Sequence, residues 1–274
     1  MFDTNQISHT PAFVLDYGRF EKNLQLIKDL QQQVPVSFLF ALKGFAMHAV
    51  FAELAETACG ATASSLNEAL LASPYFGEVH AYAPVYQDRE FETIARIAKH
   101  ITFNSLSQYE KHKNDCPNAK KSLRINPLYS TVETPLYDPC ARGSRLGVLP
   151  EDLEVLPHGI TGLHAHNLCE SGAGELEQTL VSIEKHYGHL LPFISHLNLG
   201  GGHLVTRRGY DLELFKAILT SFSLRHPHIK LYVEPGAAFV WETGYLATRI
   251  VDIVQNRGIT TLMLDSSFAA HMPD

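Results

Sequence analysis

Residues 36–44 read Val-Ser-Phe-Leu-Phe-Ala-Leu-Lys-Gly, an apolar, strand-like run that ends on a lysine and a glycine. Working outward, runs of the same kind recur at Glu78–Ala83, Ile101–Asn104, Ser122–Ile125, Gly162–His166, His196–Leu199 and Lys230–Glu234, with Thr57–Ala63 as a weaker member. Helix-like stretches separate them. Arg19–Gln33 follows Asp16 and puts Phe20, Leu24, Ile27 and Leu30 at the i, i+3, i+4 spacing of one helical face. Leu66–Ala72, Glu90–Lys99, Ser107–Asn114, Gly174–His189 and Leu212–Leu224 behave similarly. Eight strand–helix cycles predict a parallel sheet with right-handed crossovers, closed into a (β/α)8 barrel of the TIM-like kind rather than left open.

The barrel reading covers residues 11–238. Val240–Val254 and Thr260–Phe268 contain Thr, Val, Ile and Tyr without a helical pattern, and predict antiparallel strands of a second, all-β region over 239–274. An antiparallel sheet of two or three strands is marginal alone. The expectation is therefore an incomplete C-terminal β-domain.

Composition narrows the function. The 274 residues are 45% hydrophobic and 19% charged, ordinary for a globular protein. A formal net charge of −7 without a basic cluster argues against nucleic acid as a partner. No apolar run approaches the ~20 residues that span a bilayer, and Met1–Phe13 lacks the apolar core of a signal peptide. A cytoplasmic location is expected. Cys59, Cys116, Cys140 and Cys169 form no CxxC pair and read as free thiols.

Chemistry concentrates at strand ends. Lys43 stands where a barrel places its catalytic face. It reads either as a strand-terminal lysine reaching for solvent or as a Schiff-base lysine in a partly desolvated pocket. Asn198-Leu-Gly200-Gly201-Gly202-His203 reads either as a tight turn or as a backbone cradle for an anion such as phosphate. Leu231-Tyr-Val-Glu234-Pro-Gly236 puts a carboxylate at the next strand tip, suited to keeping a pyridine nitrogen protonated. His166 can lie flat on such a ring, and Arg124 can add a cation beside it. His164 and His166, two apart on a strand, share a face and could hold a metal, but no carboxylate or third histidine follows at a metal-site spacing. No metal is expected.

The ordered set Ala-Leu-Lys43, Arg124-Ile-Asn, His164-Ala-His166, Gly200-Gly-Gly202 and Glu234-Pro-Gly236 resembles the fold-type III pyridoxal-phosphate enzymes, whose barrel is of the alanine-racemase type. The family includes ornithine, diaminopimelate and carboxynorspermidine decarboxylases. The details are most similar to the carboxynorspermidine (carboxyspermidine) branch in His164-Ala-His-Asn-Leu-Cys-Glu170, Tyr137-Asp-Pro-Cys-Ala-Arg-Gly-Ser-Arg-Leu-Gly147 and Leu264-Asp-Ser-Ser-Phe-Ala-Ala-His-Met-Pro-Asp274. The resemblance implies a polyamine-forming decarboxylase using pyridoxal 5'-phosphate. Lys43 would bind the cofactor covalently, His166 stack on its ring, Gly200, Gly201 and Gly202 hold its phosphate, and Glu234 pair with the ring nitrogen. Asp265 would bind the substrate's distal amine, and Arg145 would place a substrate carboxylate or brace the site.

Two departures fit that branch: Ala237 stands where many relatives carry a phosphate-binding arginine, and Cys169 replaces a serine of a His-Ile-Gly-Ser type of sequence. Relatives also continue past this C-terminus, completing a β-domain that supplies a cysteine and a tyrosine to the site, the cysteine across a homodimer. Ornithine or diaminopimelate decarboxylation, racemisation, a cofactor-binding chain inactive without its C-terminal region, and a metal-dependent barrel hydrolase are the competing readings.

Overall fold

The computed structural model describes residues 7–272. Residues 1–6 of the N-terminal reading, and Pro273 and Asp274 of the C-terminal one, lie outside the described residues. In chain order the elements are β1 (Ala12–Leu15), α1 (Tyr17–Gln33), β2 (Val36–Ala41), α2 (Phe51–Thr57), β3 (Gly60–Ala63), α3 (Leu66–Ala72), β4 (Val79–Tyr82), α4 (Asp88–Ile97), β5 (His100–Phe103) and α5 (Leu106–His112). They continue with β6 (Lys120–Arg124), β7 (Ile160–His164), α6 (Ala173–Tyr187), β8 (His196–Asn198), α7 (Leu212–Arg225), β9 (Lys230–Val233), β10 (Gly244–Ala247), β11 (Ile250–Asn256), β12 (Ile259–Leu264) and α8 (Phe268–His271).

The strands from β2 to β9 pair in sequence order, all parallel, and β2 closes the barrel on β9 with Val36 opposite Leu231. The eight expected strands are therefore the eight staves. Helix starts follow from short polar side chains that satisfy free N–H groups. Asp16 accepts from the Arg19 amide before α1 (3.1 Å), Ser65 from Glu68 before α3 (3.2 Å), and Ser105 from Gln108 before α5 (3.1 Å). The apolar face predicted for α1 is buried at Phe20, Leu24, Ile27 and Leu30. Under the β2 end of the barrel, Phe40 packs on Phe51, Phe76 and Phe239 at ring-centroid distances of 6.0, 6.0 and 5.3 Å. Each such buried ring contributes about 1.5–3 kcal/mol of apolar transfer. One strand reading is too long: Thr57 closes α2, and β3 begins only at Gly60.

The chain forms two compact units. One is Asn23–Phe239; the other joins the chain's ends, up to Lys22 and from Val240. In the second, β1 pairs antiparallel with β10, Ala12 opposite Ala247. β11 and β12 form a hairpin whose turn residues Arg257 and Gly258 have φ of 48° and 83°, the positive pair that a two-residue hairpin turn requires. The expected strand running to Phe268 ends at Leu264. Ser267 then caps the one-turn α8 by accepting from Ala270.

Candidate active site

The barrel register brings strand ends together. Arg124, His164, Asn198 and Tyr232 occupy one row across β6, β7, β8 and β9. Lys43 follows β2 in a single 3-10 turn, Leu42–Gly44. That turn can sit against the end of β9 because residue 236 is glycine: a Cβ there would lie 2.8 Å from the Ala41 carbonyl. Five predicted residues, Lys43, Arg124, Arg145, His166 and Glu234, line one cavity of about 390 Å³ at this end of the barrel.

His166 is the hub. Its Nδ1 accepts from the Gly201 amide (2.9 Å) and its Nε2 lies 3.1 Å from Lys43 Nζ. A neutral imidazole that accepts at Nδ1 carries its hydrogen on Nε2. The Lys43 amine lies on that Nε2 side of the ring. Burial, then the Lys43 and Arg124 charges, push His166 well below the ordinary histidine range and keep it neutral. Arg124 is buried. Its guanidinium donates to the His166 carbonyl (2.6 Å) and the Tyr82 hydroxyl, and lies 4.9 Å from the Tyr82 ring centre. It braces His166 from behind.

Glu234 is buried and accepts from Asn198 Nδ2 at 2.6 Å, with His164 Nε2 3.7 Å away. Burial alone would raise its pKa. The His164 and His166 rings and the Asn198 amide outweigh burial and hold it at about 2. Burial pushes His164 itself below the ordinary histidine range, opposed by the Glu234 charge. The site therefore holds a desolvated carboxylate that is ionised at neutral pH.

The three glycines are required by close approach. Gly200 and Gly202 have φ of 67° and 89°, and a Cβ would meet His166 Nδ1 at 2.5 Å and the Leu168 carbonyl at 2.4 Å respectively. Two of their amides already have partners: Gly200 donates to Asn198 Oδ1 (2.9 Å) and Gly201 to His166. Gly202 is the loop's remaining amide.

The sequence reading passed over several groups. Asn104 ends β5's apolar run and ties down the loop that carries Arg145. Its Nδ2 donates to the Arg145 carbonyl (2.8 Å), while Oδ1 accepts from Gly147 (3.1 Å) and the Tyr82 hydroxyl (3.0 Å). The available signal was a buried amide at a strand end. Cys169, already noted in the sequence as replacing a serine, is exposed and lines the cavity. The carboxylate missing beside His164 and His166 is Glu234, from a strand 68 positions on. The three donors lie within 4.8 Å of one another. Lys43 already faces one of those nitrogens, and Arg124 adds a second positive charge. Asp265 belongs to the other unit, where it is half-buried and accepts from Thr10 (2.6 Å), Thr248 (2.7 Å) and the Arg249 amide (2.9 Å). These bonds hold it at about 2.

A closed parallel barrel with this strand-end chemistry is the fold of the type III decarboxylases. The chain belongs to the carboxynorspermidine/carboxyspermidine decarboxylase family. It is 38% identical to the Campylobacter jejuni carboxynorspermidine/carboxyspermidine decarboxylase, over 97% of this chain and 69% of that protein. It is 49% identical to a carboxyaminopropylagmatine decarboxylase of Synechocystis sp., over 97% of this chain and 70% of that protein. The crystal structure of C. jejuni carboxynorspermidine decarboxylase with norspermidine matches with a TM-score of 0.90 at 36% identity, covering 97% and 70% of the two chains. Diaminopimelate decarboxylase from Helicobacter pylori, at 17% identity and a TM-score of 0.79, shares the fold. No family model matches the chain.

Proposed function

We propose that this protein binds pyridoxal 5'-phosphate through Lys43 and decarboxylates the amino-acid end of a carboxylated polyamine, carboxynorspermidine or carboxyspermidine, releasing norspermidine or spermidine. One observation carries the cofactor reading: a buried, ionised Glu234 in the same cavity as the Lys43 amine, which lies 3.1 Å from His166 Nε2. The glycine loop supports it, since no side chain fits between the loop and the His166 ring or the Ala165 and Leu168 carbonyls. When bound, the cofactor draws off the electron pair left as the carboxylate departs. The chain's own residues do the rest. Glu234 would hold a proton at the ring nitrogen, and His166, braced by Arg124, would pack flat on the ring. Gly200, Gly201 and Gly202 would surround the phosphate. Lys43 supplies the nucleophilic amine, Arg145 a cation for the substrate carboxylate, and Asp265 a negative charge for the distal amine.

The 49% identity to an agmatine-derivative decarboxylase favours a second reading, in which the distal group is a guanidinium. A carboxylate such as Asp265 would then make a bidentate pair with it. We also propose a homodimer and a cytoplasmic location. Among the described residues no helix is long and apolar enough to cross a membrane. We further propose that residues 239–274 begin a C-terminal β-domain.

Carbon dioxide release from carboxynorspermidine, carboxyspermidine, carboxyaminopropylagmatine, ornithine and diaminopimelate tests the assignment. The two carboxylated spermidine-type substrates are expected to lead. Preference for the agmatine derivative selects the second reading, and ornithine as clear best substrate overturns both. Absorbance of the purified protein before and after borohydride tests the cofactor, and a spectrum without a borohydride-sensitive band rejects it.

A further inference from the structure

Glu234 and the glycine loop come from neighbouring strands, and one side chain joins them. Asn198, the last residue of β8, is 5% exposed. Its Nδ2 donates to Glu234 Oε1 at 2.6 Å, and its Oδ1 accepts from the Gly200 amide at 2.9 Å. A carboxamide offers both a donor and an acceptor on one planar group; the donor must face the carboxylate and the acceptor the backbone N–H. No other residue of this size does both. Aspartate would set a second negative charge against Glu234, and leucine would leave a buried carboxylate oxygen and a buried amide unpaired.

We propose that Asn198 is a positioning residue that locks the Glu234 carboxylate to the start of the glycine loop, so that the two ends of a bound ligand are held at a set separation. The backbone reinforces the same link, with the Glu234 amide donating to the Gly200 carbonyl at 2.7 Å. The lock extends further. Gly201 follows Gly200 and donates to His166, and His166 faces Lys43. One amide therefore orders the groups assigned to both the cofactor's ring and its phosphate. The ligand in this inference rests on the pyridoxal-phosphate reading above; the geometry of Glu234 does not.

The test compares the full-length protein with Asn198→Asp and Asn198→Leu. In cofactor-free protein, a 13C carboxyl titration of Glu234 should show its midpoint raised by about one pH unit or more in both variants, a tenfold gain in proton affinity. The dissociation constant for added pyridoxal phosphate should rise about tenfold in Asn198→Asp, and the pH profile of the bound cofactor's absorbance should move in the same direction. A merely structural role would lower the melting temperature and leave both unchanged. A Glu234 midpoint within about 0.3 unit of wild type, a twofold effect at most, overturns the proposal. Asn198→Asp preserves size, so it keeps the test open if Asn198→Leu does not fold. Wild type that takes up no cofactor rejects the proposed function, while the carboxyl titration still decides the role of Asn198.

Discussion

The two ends of the barrel carry the same kinds of side chain and do different things with them. At the C-terminal ends of the strands, Glu234 meets His164 and His166; toward the N-terminal ends, Glu78 meets His80 and His100. Each trio keeps its donor atoms within 4.8 Å. At the lower end every group has a partner. His80 and His100 stack with centroids 4.0 Å apart and planes 6° apart, and both point Nε2 at one Glu78 oxygen, at 2.7 and 3.3 Å. His196 closes the layer against Ser122 Oγ (2.8 Å). At the upper end both nitrogens of buried His164 lack hydrogen bonds, a lysine amine is exposed, and a cavity of about 390 Å³ stands open. A carboxylate with two histidines becomes a site where polar groups are left unsatisfied beside free space.

Breaking the upper end should cost chemistry and little stability. Lys43→Ala is expected to remove the borohydride-sensitive absorbance and lower turnover by about 10³-fold or more. Because Lys43 is exposed, the melting temperature of the cofactor-free protein should stay near wild type. Wild-type spectra in that variant would remove Lys43 from its role. Glu234→Gln keeps the shape but gives up the charge; a fall of about 10²-fold in kcat is expected, read in steady-state assays with saturating cofactor.

Breaking the lower end should do the reverse. A Cβ on Gly162 would lie 2.1 Å from His196 Nε2, so Gly162→Ala overpacks the layer. A loss of about 1–3 kcal/mol in urea unfolding is expected, with kcat of the folded fraction within twofold of wild type. The smallest effect is a pH slope. Burial, then neighbouring positive charge, hold His100 at about 2 and His196 at about 4. In the unfolded chain both rings titrate near 6.5, so the folded state binds fewer protons below that pH. Their contribution is complete above pH 6.5 and declines as pH falls, by about 1.4 kcal/mol per unit for each ring. Glu234, held at about 2, begins to add its own loss only below the unfolded glutamate value of 4.5. Between pH 6.5 and 4.5 the slope therefore belongs to the histidines, and His196→Gln should flatten it. An unchanged slope in that variant would show that His196 is not one of its sources.

Much of this contrast was legible in the residue order. The eight staves, the helices α1 and α3 to α7, and Lys43, Arg124, His166 and Glu234 at one end follow from apolar periodicity and from polar residues that terminate it, while Arg145 comes from the family resemblance. Other features were not. α2 has no counterpart in the sequence reading, and its last residue, Thr57, falls within the strand-like run that follows. β1 finds its partner β10 more than 200 residues away, and no local pattern encodes that pairing. Asn104 and Asn198 look in sequence like any amide at a strand end; their importance lies in which two groups each one bridges. The lower histidines carry no motif, since His80, His100 and His196 come from three separate strands.

The sequence by itself determined the kind of barrel and the chemical inventory at its catalytic face, because burial demands periodic apolar runs and the chain must leave each run on a polar or flexible residue. Only the tertiary structure decided which members of that inventory meet. Register between strands put Glu234 beside His164 and Asn198, and glycine close approach put Gly201 on His166. Those contacts then set the charge of Glu234 and the tautomer of His166. Such properties depend on distances of about 3 Å between residues far apart in the chain, and only closure of the barrel creates those distances.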